Sequence, residues 1–256
     1  MNGYFYRIEN LNVIVYNQGK HVAFPLSYFY SKSSFLGFSI KSQLGDPSTL
    51  LNASVSTNVI YKVIDTKITS MDLNRINTIS TRRKIKDRFK EIRKLGGFLQ
   101  YFDFDSSVFK NNLVLIDSCL PRIIANIVKI FYSSDLNTIK DIVEKLETEN
   151  PLRFDTQHSH KFYEYKIKRF LTDVALGMMP ATVWTGAYDA TGGYLIVKED
   201  GDILCYHIYN KNEFENYLFA NTKLETASSS RNKFGIIEIV DGQQIFKLNL
   251  QIRFLN

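Results

Sequence analysis

Between Gly37 and Ser54 the chain reads GFSIKSQLGDPSTLLNAS, an apolar strand pattern that carries one lysine toward a Gly-Asp-Pro turn and a hydroxyl-rich segment. Side chains alternate along a strand, so Ser39 and Lys41 point one way while Phe38 and Ile40 point the other. An ammonium and a hydroxyl therefore share a face. Gly45, Asp46 and Pro47 end the strand, and Ser48 or Thr49 is then expected to cap a short helix starting near Leu50, whose free backbone N–H groups suit a phosphate. These residue types together make a candidate phosphodiester site. The plainer alternative is an edge strand whose polar residues face solvent.

Charge points the same way. The 256 residues carry 32 basic and 26 acidic side chains, a formal charge of +6, and the segment Arg82 to Lys94 alone holds eight basic residues against two acidic ones. The imbalance is thus a local patch, which favours a polyanion, although a solvated helix face accounts for it equally. A hydrophobic content of 45% supports a buried core. No run of about 18 apolar residues and no signal-peptide pattern appears, so a cytoplasmic protein without a membrane partner is expected. Cys119 and Cys205 fit neither a disulfide framework nor a zinc site. His158 and His160, two residues apart, cannot share a helix face as metal ligands.

Several elements must position the Lys41 strand. Tyr4 to Tyr16 reads as a strand region, with Asn12, Ile14 and Tyr16 on one face. His21 to Phe35 lacks a clean period and is expected to be an irregular arm. Ile85, Phe89 and Ile92 form one stripe of an amphipathic helix stopped by Gly96 and Gly97, with basic residues over its remaining surface. Phe98 to Phe104 is a strand candidate; Val108 to Asp117 and Pro121 to Tyr132 are expected helices. Asp135 is expected to cap the next one, which breaks at Asn150 and Pro151, and Tyr163 to Leu176 forms another. Strands resume at Tyr194 to Lys198 and Ile203 to Ile208, flanking an Asp-Gly turn. His207 reads as a core or interface histidine. The glycine turn after Asp189 is a tight connection or a phosphate approach. Glu213 to Phe219 is a short helix, and Asn221 to Arg231 is a loop rich in hydroxyls and cations. Phe246 to Phe254 alternates perfectly and is expected to be one continuous strand with a polar face open to bases, phosphates or solvent.

GFSIKSQLG followed by PSTLLNAS, together with DVALGMMPATVW, YDATGGYLIVK, LCYHIYN, NTKLET and KLNLQIRF, resembles the HpaII family of type II restriction endonucleases. The resemblance covers both ends and everything from about Asp173 onward, and is weakest between Thr66 and Asn150. It implies a DNA endonuclease of the PD-(D/E)xK class that uses Mg²⁺ and cuts double-stranded DNA within CCGG. In that class an Asp on one strand and an acid two residues before a Lys on the next hold the metal, with the Lys beside the attacking water. Carboxylate oxygens suit Mg²⁺, and an ammonium stabilises charge developing on phosphorus oxygens. Here Ser39 stands at the acid position, in a Ser-x-Lys form that belongs to the family string, and Asn12 stands where the strand Asp is expected. Either Glu9, Asp46 or Asp65 supplies the carboxylate, or this is a degenerate relative that binds DNA without cutting it.

The resemblance makes Lys41, Ser39, Gln43 and Asn12 the expected catalytic group, and Ser48, Thr49, Asn52, Lys198 and Arg231 the expected DNA contacts. It also implies a helical segment before the first catalytic strand. Met1 stands almost against that strand, so a truncated copy is an expectation. The expected fold is α/β in the α+β sense, a restriction-endonuclease-like mixed sheet at residues 1–65, a helical segment at 66–180 and a C-terminal β-rich lobe at 181–256 that helps embrace DNA, or one compact domain. A homodimer is an expected arrangement, and a cognate DNA methyltransferase an expected functional rather than physical partner.

Overall fold

The computed structural model describes residues 5–8, 11–14, 21–26, 34–42, 48–190, 193–198, 201–207 and 210–255. In chain order come the strands β1 (Phe5–Ile8), β2 (Leu11–Ile14), β3 (His21–Leu26), β4 (Ser34–Ser42) and β5 (Thr49–Leu51), then a 3₁₀ turn at Val55–Thr57 and β6 (Asn58–Ile64). Helices α1 (Ser70–Asn77) and α2 (Lys84–Lys94) lead to β7 (Phe98–Phe104). Four helices follow: α3 (Ser107–Ile116), α4 (Leu120–Ser133), α5 (Ile139–Glu149) and α6 (Phe162–Ala175). The hairpin β8 (Gly193–Val197) and β9 (Ile203–His207), helix α7 (Lys211–Ala220), and strands β10 (Thr222–Leu224), β11 (Ile237–Val240), β12 (Gln243–Asn249) and β13 (Ile252–Phe254) complete the fold.

The result is a mixed α/β fold in which each sheet joins distant parts of the chain. The largest has the order β1-β2-β3-β4-β8-β9: an antiparallel meander through β4, then a parallel β4–β8 pair, then an antiparallel hairpin. Parallel pairing demands a long crossover, and the helical section supplies it. A second sheet runs β11-β12-β6-β7 and a third β10-β13-β5. All three draw strands from before residue 65 and after residue 181.

Two sequence expectations change here. The arm after His21 is not irregular at its start: β3 pairs with β4 residue by residue, from His21 opposite Ser39 to Leu26 opposite Ser34. The last strand is not continuous. Leu248, Asn249 and Leu250 are all buried in succession, because the chain turns a corner between two sheets where both faces lie inside. Asn249 fixes that corner, its amide donating to the Ser54 carbonyl at 2.8 Å, Thr57 Oγ1 at 3.0 Å and Asn58 Oδ1 at 2.7 Å. Its neighbours Lys247 and Arg253 pair with Asp105 and Glu225, so the polar face is largely committed within the protein.

Helix α4 forms the centre of the core, with Ile123, Ile124, Ile127, Val128 and Phe131 buried as their spacing predicts. Tyr61 on β6 donates to its Ala125 carbonyl at 2.6 Å. Thr138, not Asp135, caps α5 by accepting from the Asp141 N–H, while Asp135 pairs with Arg83. Asn150 ends α5 in a left-handed conformation, φ 42°. Among the described residues no helix is long and apolar enough to cross a membrane.

The apolar stripe of α2 is buried as expected, but Arg88 lies on it too. Its guanidinium donates to the carbonyls of Gly235, Asn77 and Ile79, each at 2.7 Å. Burial holds its pKa below the usual arginine value, and the three carbonyls share the retained charge. One of the eight basic residues is therefore a structural rivet. Arg88→Met leaves three acceptors unpaired and is expected to lower the unfolding free energy by about 2–4 kcal/mol. Lys90→Met, at an exposed position on the same helix, is expected to change it by less than about 0.5 kcal/mol; urea titrations of both variants check this.

Candidate active site

Strand β4 lies inside its sheet, between β3 and β8, which removes the edge-strand explanation of Lys41. Ser39 sits between His21 and Tyr194 in the register, and Lys41 sits beside Ile196. Tyr194 and Ile196 are fully buried, so this face of the sheet turns inward rather than to bulk water. Lys41 is half-buried and donates to the Thr49 carbonyl on β5 at 3.0 Å. A half-buried ammonium needs such an acceptor, and the bond fixes its position between two sheets.

The site also occupies the carboxyl end of the β4–β8 parallel pair. That is where open sheets with parallel strands place ligands, because the chain diverges there. Lys198 follows β8 directly and, by alternation, shares a face with Ile196; its backbone N–H closes the hairpin on the Asp202 carbonyl at 2.8 Å. Behind Thr49, the register runs Thr49, Arg253, Lys223 across the three-stranded sheet, with Arg253 held by Glu225 at 2.8 Å. Arg253 and Lys223 thus share one row of the sheet with Thr49, the residue whose carbonyl holds the Lys41 ammonium, and this places basic residue types where a phosphodiester backbone could be met. Ser48 contributes a buried hydroxyl with no hydrogen-bond partner.

The structure gathers Ser39, Lys41, Ser48, Thr49 and Lys198 around one end of β4. Asn52 is exposed just after β5. The expected helix cap at Ser48 or Thr49 is corrected: Thr49–Leu51 is strand β5, drawn into extended backbone by pairing with β13, so no helix N-terminus faces the site. Arg231 is exposed on the loop beyond β10 that runs against α2, not on the strands around Lys41.

Asn12 is not brought to Lys41. Ile14, Ala23 and Gly37 form one row across β2, β3 and β4; Asn12 lies two residues to one side of it and Lys41 four to the other. Six residues of strand amount to about 20 Å. Asp65 ends β6 in a different sheet, exposed and with φ 64°. Gln43, Glu9 and Asp46 lie outside the described residues. The described residues near Lys41 therefore offer an ammonium, hydroxyls and a carbonyl but no carboxylate pair, and none of their His, Cys, Asp and Glu side chains form a group able to hold a metal. This donor set does not by itself fit Mg²⁺, which favours carboxylate oxygens. Sequence reasoning missed Tyr194 and the Arg253–Glu225 pair, since only the cross-strand register places them beside the β4 and β5 residues.

Residues 17–254 match the family described as HpaII restriction endonuclease. The chain belongs to that family. It is 53% identical over 220 residues to the type II restriction enzyme HpaII of Haemophilus parainfluenzae, an alignment that covers 86% of this chain and 60% of that enzyme. No solved structure matches the chain.

Helix α6, which packs against β5, holds one further carboxyl. Asp173 is buried, accepts from the Tyr188 hydroxyl at 2.8 Å and lies 3.7 Å from Arg169 Nε. Burial raises its pKa, and Tyr188 and Arg169 only partly offset this. A raised carboxyl pKa means that the native state holds the proton more tightly than the unfolded chain. The associated stability is complete below the ordinary carboxylate pKa and is lost as pH rises through the raised one. Asp173→Asn keeps an acceptor for Tyr188 without the charge, so its melting temperature is expected to exceed the parent's at pH 8, with the gap closing toward pH 4, as measured by calorimetry.

Proposed function

We propose that the chain is a type II restriction endonuclease that hydrolyses phosphodiester bonds in double-stranded DNA at a short palindrome, with CCGG the first candidate. The observation that carries the reading is Lys41: an ammonium half-buried on an interior strand of a family fold, at the carboxyl end of a parallel pair. In the proposed complex the Lys41 ammonium turns from the Thr49 carbonyl to a non-bridging oxygen of the scissile phosphate or to the attacking water. It favours charge that grows toward the transition state, in a setting where surrounding strands limit competition from solvent. Ser39, two residues earlier on the same face, lies beside it, and Gln43 is proposed from its place in the sequence as a further member of the catalytic group, while Lys198, Ser48, Thr49 and Asn52 hold the adjoining DNA backbone. Each cut leaves a 5′-phosphate and a 3′-hydroxyl.

Type II restriction endonucleases generally use divalent metal ions, and Mg²⁺ is the expected one here. Cutting both strands of a palindrome calls for two sites related by a two-fold axis, which makes a homodimer the simplest arrangement. A cell holding such an activity must protect its own copies of the site, so a DNA methyltransferase is the expected functional partner. A second reading, DNA binding without cleavage, follows from the residue types alone, since Ser39 and Asn12 stand where the resemblance leads one to expect carboxylates.

Incubating supercoiled plasmid bearing CCGG with protein and Mg²⁺, then sequencing the ends, separates the two. Uniform ends within one palindrome are expected. Intact plasmid at high protein concentration, with duplex binding retained, favours the second reading. Lys41→Ala is expected to slow cleavage at least about 10²–10³-fold while leaving duplex affinity within a few-fold. Asn12→Asp is expected to leave the rate unchanged, a reading supported by the distance along the sheet between Asn12 and Lys41.

A further inference from the structure

The basic segment Arg82 to Lys94 and the hydroxyl-rich loop after β10 are far apart in sequence, yet they line one cleft. Arg82, Arg83, Lys84 and Lys86 form one wall and Thr226 to Ser230 the other, around 360 Å³ with no carboxylate in the lining. A larger groove of 710 Å³ continues from it along α2, sharing Arg83 and Lys86 and adding Lys90, Arg93 and Lys129 against only Asp87 and Asp135. A solvated helix face would be convex. Here the cations converge on concave surface.

The cleft is built rather than incidental. Gly235 is pressed against α2, where a Cβ at its position would meet Ile85 Cδ1 at 2.1 Å, and its carbonyl accepts from Arg88. Upstream, Glu225 is tied to Arg253 and to the Gln251 carbonyl. The serines between these anchors are therefore held facing the arginines. Among the described residues Arg82, Lys84, Lys90, Arg93 and Lys129 have no carboxylate within ion-pair distance. Asp87 is engaged by the Thr81 hydroxyl and Asp135 by Arg83. Burial and, less, the neighbouring Arg83 hold Lys86 below its ordinary pKa, and burial does the same for Lys129.

The cleft is also connected to the candidate active site through a short series of pairings. Thr226 follows Glu225, whose partner Arg253 is paired with Thr49, the acceptor of Lys41. From Arg82 to Arg93 the wall runs about 17 Å, or roughly five phosphates of one DNA strand at 3.4 Å each. Cations interleaved with serine and threonine hydroxyls are what a duplex backbone requires. A compact anion would need far less length.

We propose that the Arg82–Lys86 and Thr226–Ser230 cleft, with its extension along α2, binds the phosphate backbone of duplex DNA flanking the cleaved site. The proposal rests on the endonuclease reading and adds a second contact region to it. It assigns this region to affinity and not to chemistry or base choice.

Fluorescence anisotropy with labelled duplexes of about 10 and 30 base pairs, each with CCGG at its centre, tests this at two salt concentrations. The double variant Arg82→Ala/Lys84→Ala is expected to lose about tenfold or more in affinity for the long duplex and to reduce its salt slope by about two, with the short duplex bound as by the parent. Ser229→Asp, which places a negative charge among the four cations, is expected to produce the same loss without removing any of them. Unchanged affinity and slope for the long duplex in both variants overturns the proposal while leaving the endonuclease reading intact. A parent protein that binds neither duplex overturns both. Preference for an acidic peptide over the long duplex also overturns it.

Discussion

The hydrogen bond from the Lys41 ammonium to the Thr49 carbonyl joins the largest sheet to the smallest, and the geometry of the candidate site follows from it. A half-buried lysine without an acceptor would pay a desolvation cost of several kcal/mol or give up its proton. With one, it is held in place. Because Thr49 is paired to Arg253 and Arg253 to Glu225, the position of the ammonium is transmitted to the loop after β10. The same chain of contacts that holds Lys41 therefore sets where the serine wall of the α2 cleft begins.

Local pattern made much of this legible. The strand at Phe38 to Lys41, the stripe of α2, the core face of α4, the stop at Asn150 and the β8–β9 hairpin could all be read from periodicity and turn residues, because each depends on neighbours within a few positions. The family strings added what periodicity cannot give, namely membership of the HpaII restriction endonuclease family.

What escaped the sequence depended on distant partners. Thr49 looked like a helix cap because hydroxyls after a proline turn often are, but pairing with β13 outweighs a local capping preference. Alternation from Phe246 to Phe254 is unbroken, so nothing within it marks the corner where Asn249 turns inward to meet Asn58, nearly two hundred residues earlier in the chain. Arg88 looked like surface charge because arginine is rarely buried; only the three carbonyls around it make burial tolerable. Asn12 was placed beside Lys41 by motif order, and register, which no single strand contains, moved it along the sheet.

The fate of the cations shows how fold and site divide one resource. In the Arg82 to Lys94 segment, Arg88 serves the core, Lys94 meets Glu91, Arg83 meets Asp135 and Lys86 reaches the Ser134 carbonyl. Those contacts orient the helix and fix the shape of the clefts. Among the described residues Arg82, Lys84, Lys90 and Arg93 have no acidic partner at ion-pair distance, and mutual repulsion among them must weaken the folded state at low ionic strength. A protein under selection for stability alone would scatter these charges or pair them. Their convergence on a concave track is intelligible if a polyanion relieves the repulsion on binding, releasing its counterions as it does so.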